Sequence, residues 1–427
     1  MSTFSVRRLR PQRDADDPPL GASARLLFGG YLISAVGTGI VYPYLAIYVQ
    51  QIRRLGGTDA AIVLALFALG SVAGSLVAGP PIDRLGPRVV GAAGIVFQAV
   101  GYGLLGFSAA ATPIFVAAAV AGVSTGAFYT ALSPAINLIC PPSQHRRAFA
   151  VRYMLNNLGL AAGALIALIV LGSHTDTFRF TTLYEADAAS YFVFLVFFLV
   201  SLSGYGRPEQ NPSQEERSGP GFRFRNLLSN RLFVGLLVIQ VLLVVGGFSQ
   251  IQSVIPLLLR IRLGAPVYLI SFLLTMNCVG VVLIQPLVVR FSAKVPERRL
   301  LAAVGAIWVV AFVFAAGVAF HGSLGLAAII LFGLTFTIGE CFYGPSYQTL
   351  VVRFAPPDQL GRYSSVSWSA FGGANFIAPP LGVLIVNSRW PYLLWLACGS
   401  CCAVAALCAI RLRSQPAAVT PESPAAG

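Results

Sequence analysis

The chain has 427 residues, 56% of them hydrophobic and only 10% charged, against about 25% charged in soluble domains. That balance excludes an ordinary soluble domain and points to many membrane spans. The net charge of +14 does not describe a nucleic-acid-binding face, because the arginines sit in short clusters between apolar runs, where they orient a membrane protein. Residues 1–23 are polar, with mixed charge and prolines, and read as a disordered cytosolic tail without a signal peptide. Twelve apolar runs long enough to cross a bilayer follow, at 26–50, 60–82, 89–109, 112–139, 148–172, 188–205, 232–259, 267–289, 300–320, 323–351, 363–387 and 390–410. A Pro-, Ser-, Gln- and Arg-rich stretch at 206–230 reads as a cytosolic linker, and 412–427 as a second disordered tail. The expected fold is an all-α membrane protein with twelve transmembrane helices in two pseudo-symmetric six-helix bundles, over 24–205 and 231–411.

Between the second and third runs the sequence reads Gly79-Pro80-Pro81-Ile82-Asp83-Arg84-Leu85-Gly86-Pro87-Arg88. The prolines are expected to end one helix and start the next, and Gly86 to allow a tight turn. An echo of this stretch lies about 206 residues on, at Gln285-Pro286 with Arg290, Phe291 and Lys294. Ser133-Pro134 likewise matches Gly344-Pro345, and Pro142 with Arg147 matches Pro357 with Arg362. The loop Gly79–Arg88 resembles the one between the second and third helices of the major facilitator superfamily. Ala355–Tyr363 and the Gly372-Gly373…Pro379-Pro380-x-Gly382 beyond it resemble the drug:proton antiporter branch of that superfamily. The resemblance covers about residues 24 to 411. It implies two parallel six-helix repeats around one substrate site, with Gly79, Asp83, Arg84, Gly86 and Arg88 as a gating loop. It also implies that Asp83 sits beside the start of the eleventh span, near Arg362 to Ser365, and latches the halves. Two patterns of the exporters are missing: the fourth span has Ala117 and Ala118 where an arginine is usual, and the fifth has Gly159-x-x-x-Gly163 without the proline. Export and uptake therefore both remain open.

Arginine and lysine crowd into the tails, the linker and the loops around 84–88, 146–147, 290–299 and 353–362. The opposite loops hold only Arg53, Arg54, Arg179, Arg260, Arg262 and Arg389. The positive-inside rule then places both termini in the cytoplasm. Within the spans as drawn, two residues are formally charged, Glu340 and Arg152. Glu340 lies near mid-bilayer, with Tyr343, Gly344 and Tyr347 expected on one face of its helix. A lone acid there is the candidate proton-coupling group, against the plainer reading of a hydrogen-bonded packing residue. Arg152, with Asn156 one turn on, is either a cavity counter-charge, for an anion or for Glu340, or a snorkelling arginine whose head reaches the membrane surface. Tyr42, Tyr129, Asn137, Gln250, Asn277, Tyr343, Tyr347, Trp368 and Asn375 complete the candidate cavity lining. Each alone is as well explained by an interhelical hydrogen bond or by packing.

The seven cysteines include a C-x-x-C at Cys398–Cys401 with no histidine nearby, and read as small buried hydrophobes. No cofactor or metal motif is expected. His-Glu-x-x-His is missing, and with Lys294 as the only lysine there is no Gly-x-x-x-x-Gly-Lys-(Ser/Thr), so neither an enzyme nor a nucleotide-driven pump is indicated. The favoured reading is a secondary carrier in a bacterial cytoplasmic membrane that works by alternating access. Its preferred function is proton-coupled export of small amphipathic or drug-like compounds, and the alternative is proton-coupled uptake of a small polar metabolite. Its partners are the substrate, protons and the lipid bilayer, and a monomer is the expected assembly.

Overall fold

The computed structural model describes residues 19–45, 48–171, 177–205, 227, 229–262, 267–317 and 323–412. Most of the predicted tails and linker (1–18, 206–226 and 413–427) lies outside them. The described residues contain twelve helices long and apolar enough to cross a membrane. The first six are α1 (Ala22–Val41), α2 (Gly57–Leu85), α3 (Pro87–Phe107), α4 (Ala111–Ile139), α5 (His145–Leu171) and α6 (Thr177–Ser201). The second six are α7 (the span Arg231–Ile251), α8 (Val267–Ser292), α9 (Glu297–Ala316), α10 (Ser323–Phe354), α11 (Leu360–Asn387) and α12 (Leu393–Arg411). Large apolar side chains such as Leu69, Val77, Phe97, Ile169, Leu283 and Leu384 remain exposed on the outside, as a lipid-facing surface requires.

Three elements depart from the sequence expectation, each for a local reason. Pro80 and Pro81 do not end α2, which runs through them to Leu85. A proline inside a helix leaves the carbonyl four residues earlier without its donor. For Pro80 that carbonyl is Leu76 O, and Ser365 Oγ of α11 reaches both it, at 3.3 Å, and Ser75 O, at 2.6 Å. The stop comes at Gly86, whose φ of +83° suits a residue without Cβ, and Pro87 opens α3. Second, α6 starts at Thr177 rather than 188. Its first turns are polar enough to hide the apolar run, yet Phe180, Leu183, Tyr184, Asp187, Tyr191, Phe194 and Phe198 form one buried stripe at helical spacing. Third, α7 is α-helical over Arg231–Leu243, passes through a π-turn at Val244–Phe248 and resumes as one α-turn at Ser249–Gln252. Gln250 Nε2 bonds Val245 O at 2.9 Å inside that turn.

Two separate cores result. One draws on buried residues from Leu20 to Leu202, the other from Leu227 to Leu412, one for each six-helix bundle. The bundles meet along two seams, α2 with α11 and α5 with α8 and α10, and also where α4 touches α10 and α11. Among the described residues, the hydrogen bonds joining them lie between the middle of the helices and the end from which α1 starts and at which α12 finishes. They include Ser369 Oγ to Val72 O at 3.4 Å, Ser133 Oγ to Gln348 Oε1 at 3.0 Å and Arg146 Nη1 to Val295 O at 2.8 Å. The two bundles are therefore tied together toward their terminus-bearing end.

Candidate functional site

Glu340 is 2% exposed, 14 residues from the end of α10, or about 21 Å along the helix axis. Both carboxylate oxygens have donors: the Tyr153 hydroxyl of α5 on Oε1, and Asn277 Nδ2 of α8 on Oε2 at 2.6 Å. Asn277 also donates to Thr337 Oγ1 at 3.0 Å, whose own hydroxyl donates to Gly333 O at 2.8 Å. Glu340 thus bridges the two bundles at the α5–α8–α10 seam. The expected shared face of α10 divides in two. Glu340 and Gly344 turn to Tyr153 of α5, while Tyr347 donates to Gln240 Oε1 of α7 at 2.5 Å and accepts from Ser367 of α11 at 3.1 Å. Tyr343 packs against Phe248 and Trp308, at 6.3 and 6.1 Å between ring centroids. A helix turns about 100° per residue, so positions 340, 343, 344 and 347 span an arc wide enough for two neighbours.

A second cluster lies closer to the terminus-bearing end. Arg152, seven residues into α5, is 8% exposed, and its guanidinium lies over the Trp368 ring of α11 at 5.7 Å from the centroid. Of the partners the sequence offered for it, Glu340 is taken by Tyr153 and Asn277. Trp368 in turn packs against Tyr129 of α4, at 5.1 Å between centroids and with the rings tilted by 35°. Asn156, one turn beyond Arg152, accepts from the Tyr31 hydroxyl of α1 at 2.8 Å. Four expected cavity residues, Tyr129, Arg152, Asn156 and Trp368, therefore come together, on α4, α5 and α11. An aromatic row carries the cluster on from Trp368 through Phe371 to Phe248, with centroids 5.6 and 5.4 Å apart.

At the α2–α11 seam, Asp83 Oδ1 accepts from the Gly361 amide at 2.6 Å, and Oδ2 lies 3.5 Å from Arg362 Nε. Gly79 is pressed against Arg362 and Ser365: a Cβ built on it would fall 2.7 Å from Ser365 Cβ. Gly86 makes the turn, while Arg84 and Arg88 are exposed. The remaining candidates do not join either cluster. Gln250 bonds Ala378 O at 3.2 Å and ties the π-turn to α11. Tyr42 is half exposed beyond the end of α1, with its ring 5.7 Å from that of Phe67. Asn137 and Asn375 stand half-buried in α4 and α11.

Sequence reasoning passed over Tyr153, Thr337 and Ser365, which are ordinary residue types in a span. It also passed over Asp187, because α6 was drawn from 188. Asp187 is fully buried against the Gly37 backbone of α1, with Oδ2 unpartnered and Ser190 Oγ 3.5 Å from Oδ1. One string, Gly122-Val123-Ser124-Thr125-Gly126, carries the Gly-x-Ser-x-Gly spelling of hydrolase nucleophile turns. Here it is mid-helix, and Ser124 donates to Val120 O and Ala121 O at 2.7 and 3.0 Å, so no exposed nucleophile results.

The sequence profile of the Major Facilitator Superfamily matches residues 27–373 and 263–427. An uncharacterized MFS-type transporter of Bacillus subtilis (strain 168), YttB, is 27% identical over 368 residues, covering 85% of this chain and 88% of that protein. Multidrug resistance protein 1 of the same organism is 22% identical over 251 residues, 58% of this chain and 61% of that protein. The crystal structure of a bacterial homologue of the iron transporter ferroportin, in its outward-facing state, has a TM-score of 0.72 at 16% identity, covering 91% of this chain and 99% of that one. Twelve spans in two bundles, and a family match reaching from residue 27 to 427, lead to one conclusion: this chain belongs to the Major Facilitator Superfamily and is a multi-pass secondary transporter of small molecules, not an enzyme.

Proposed function

We propose that the protein exports small amphipathic, drug-like compounds in exchange for protons, by alternating access between its two bundles. The observation that carries this reading is Glu340, an acid at mid-bilayer depth hydrogen-bonded to Tyr153 of the opposite bundle. The arginine distribution assigns the terminus-bearing end to the cytoplasm, so the structure corresponds to a state closed on the inner side. Ionised Glu340 accepts charge-assisted hydrogen bonds from Tyr153 and Asn277, each worth about 1.5–3 kcal/mol, and holds α5 against α8 and α10. Protonation from the outer side removes the charge that strengthens both contacts. The inner side then opens, the proton leaves, and substrate enters from the cytoplasm to be carried out on the return swing. The aromatic row from Tyr129 to Phe248 suits an amphipathic cargo better than a sugar-like one, which calls for many hydrogen-bonding groups. A relative named multidrug resistance protein 1 points the same way.

Proteoliposomes with an imposed pH gradient test the reading, with a panel of lipophilic cations, neutral drugs, aromatic anions and polar metabolites. The expected result is movement of amphipathic compounds against the proton flow, slowed at least ten-fold in Glu340→Gln. Accumulation of a polar metabolite together with protons would instead make the protein an uptake symporter. Flux unchanged in Glu340→Gln would remove that residue from the coupling step.

A further inference from the structure

Arg152 poses a physical problem that the fold leaves unsolved. Its charge is buried about a third of the way into the membrane, where an unpaired ion is costly. Among the described residues its guanidinium lies over the face of Trp368 and within electrostatic reach of the Tyr129 hydroxyl, with no carboxylate paired to it. A ring face draws the cation but accepts none of its five N–H groups. Beside it, Trp368 Nε1, a donor and nothing else, is sealed from solvent without an acceptor. Two donors on neighbouring side chains thus lack an acceptor where α5 meets α11, and Glu340, the acid of the α5–α8–α10 seam, is already bonded to Tyr153 and Asn277. What the site lacks is an acceptor with negative charge. The surfaces around it are aromatic: Tyr129 tilted against Trp368, with Phe371 and Phe248 beyond.

We propose that Arg152 and Trp368 form a head-group subsite for an aromatic anion, a planar body carrying a carboxylate or sulfonate. The acid group lies against the guanidinium fork and the indole N–H, and the body stacks along Tyr129 and Phe371. This rests on the reading of the protein as a carrier of amphipathic compounds and narrows their charge. The phosphate of an anionic lipid has the same head chemistry without the flat body, which gives the experiment its second arm.

The test is equilibrium binding with no pH gradient, so that it fails or succeeds apart from proton coupling and transport direction. Fluorescein and rhodamine 123 share a xanthene frame and differ in the sign of their charge. Their binding is followed by fluorescence anisotropy with the full chain in phosphatidylcholine nanodiscs, then in nanodiscs containing phosphatidylglycerol. The wild type is expected to bind fluorescein at least ten-fold tighter than rhodamine 123, and the lipid to change this less than two-fold. Arg152→Gln should abolish the preference, and Arg152→Lys should keep part of it, because the charge remains without the planar fork. Trp368→Phe, which keeps an aromatic face while removing the donor and part of the ring area, should weaken fluorescein more than rhodamine 123 and serves if Arg152→Gln does not fold. Equal binding of the two dyes by the wild type, a preference for rhodamine 123, binding of neither, or fluorescein affinity untouched by these changes overturns the proposal. Displacement of fluorescein by phosphatidylglycerol in proportion to its content also overturns it and assigns the site to lipid.

Discussion

A single carboxylate oxygen joins two residues 278 positions apart in the chain: Asp83 Oδ1 takes the amide of Gly361 at the opening of α11. The amides there are otherwise unsatisfied, and a negative charge at a helix N-terminus is worth about 0.3–1 kcal/mol. Asp83→Asn keeps the shape and removes the charge. Its expected effect is a transport rate several-fold lower at wild-type protein levels, because the state closed at the terminus-bearing end loses up to about 1 kcal/mol, or about five-fold in population. Wild-type rates in a transport assay with quantified protein would end the latch idea. At this scale the sequence was readable wherever a charge interrupted an apolar run, which is how Asp83, Arg152 and Glu340 stood out. Tyr153 and Ser365 could not stand out, because a tyrosine or serine in a span becomes informative only when its partner is known. Asp187 was hidden by the polar turns that precede it in α6.

Between elements, backbone proximity decides the packing. Helices α2 and α4 approach so closely that a Cβ on Gly126 would lie 1.9 Å from Ser71 O, and one on Gly74 would lie 2.0 Å from Val123 O. Water offers no hydrophobic drive between helices inside a bilayer, so contacts of this kind hold the bundle together. Gly126→Ala is therefore expected to cost about 1–3 kcal/mol through overpacking and to lower the thermal midpoint in detergent. Gly126→Val is expected to leave little monodisperse protein on gel filtration. A wild-type midpoint for the alanine variant would mean that the helices part freely. The prolines obey a related rule. Pro80 and Pro345 each free a carbonyl, at Leu76 and Cys341, and a neighbouring helix supplies the donor from Ser365 or Gln285. The sequence announces the broken bond, and only the packed structure reveals who repairs it.

On the scale of the whole molecule, two cores with no buried residue in common meet along seams bridged by polar contacts. Such an arrangement suits halves that must separate, since an apolar seam as tight as a core would hold them in one state. The closeness of Gly79 to Ser365 gives a direct test. A cysteine pair at these positions starts from Cβ atoms about 2.7 Å apart, and a small outward shift reaches the roughly 3.8 Å of a disulfide. Oxidation of Gly79→Cys/Ser365→Cys is expected to stop transport, and a reducing agent to restore it. Full transport by the cross-linked protein would show that the α2–α11 seam does not open.

The sequence alone determined the membrane environment, the number of spans and the twofold plan, because hydropathy and proline–arginine spacing are local and survive without tertiary contacts. It also located the charges that a bilayer makes expensive. Only the tertiary structure decided what each charge meets. Arg152 lies over Trp368 rather than against Glu340, and Glu340 bonds Tyr153 across the seam while Tyr343 and Tyr347 of the same helix meet other neighbours. The physical reason is rotation. Helical spacing defines a face only to within an arc of about 100°, and which of two neighbours that arc meets depends on how the bundles dock.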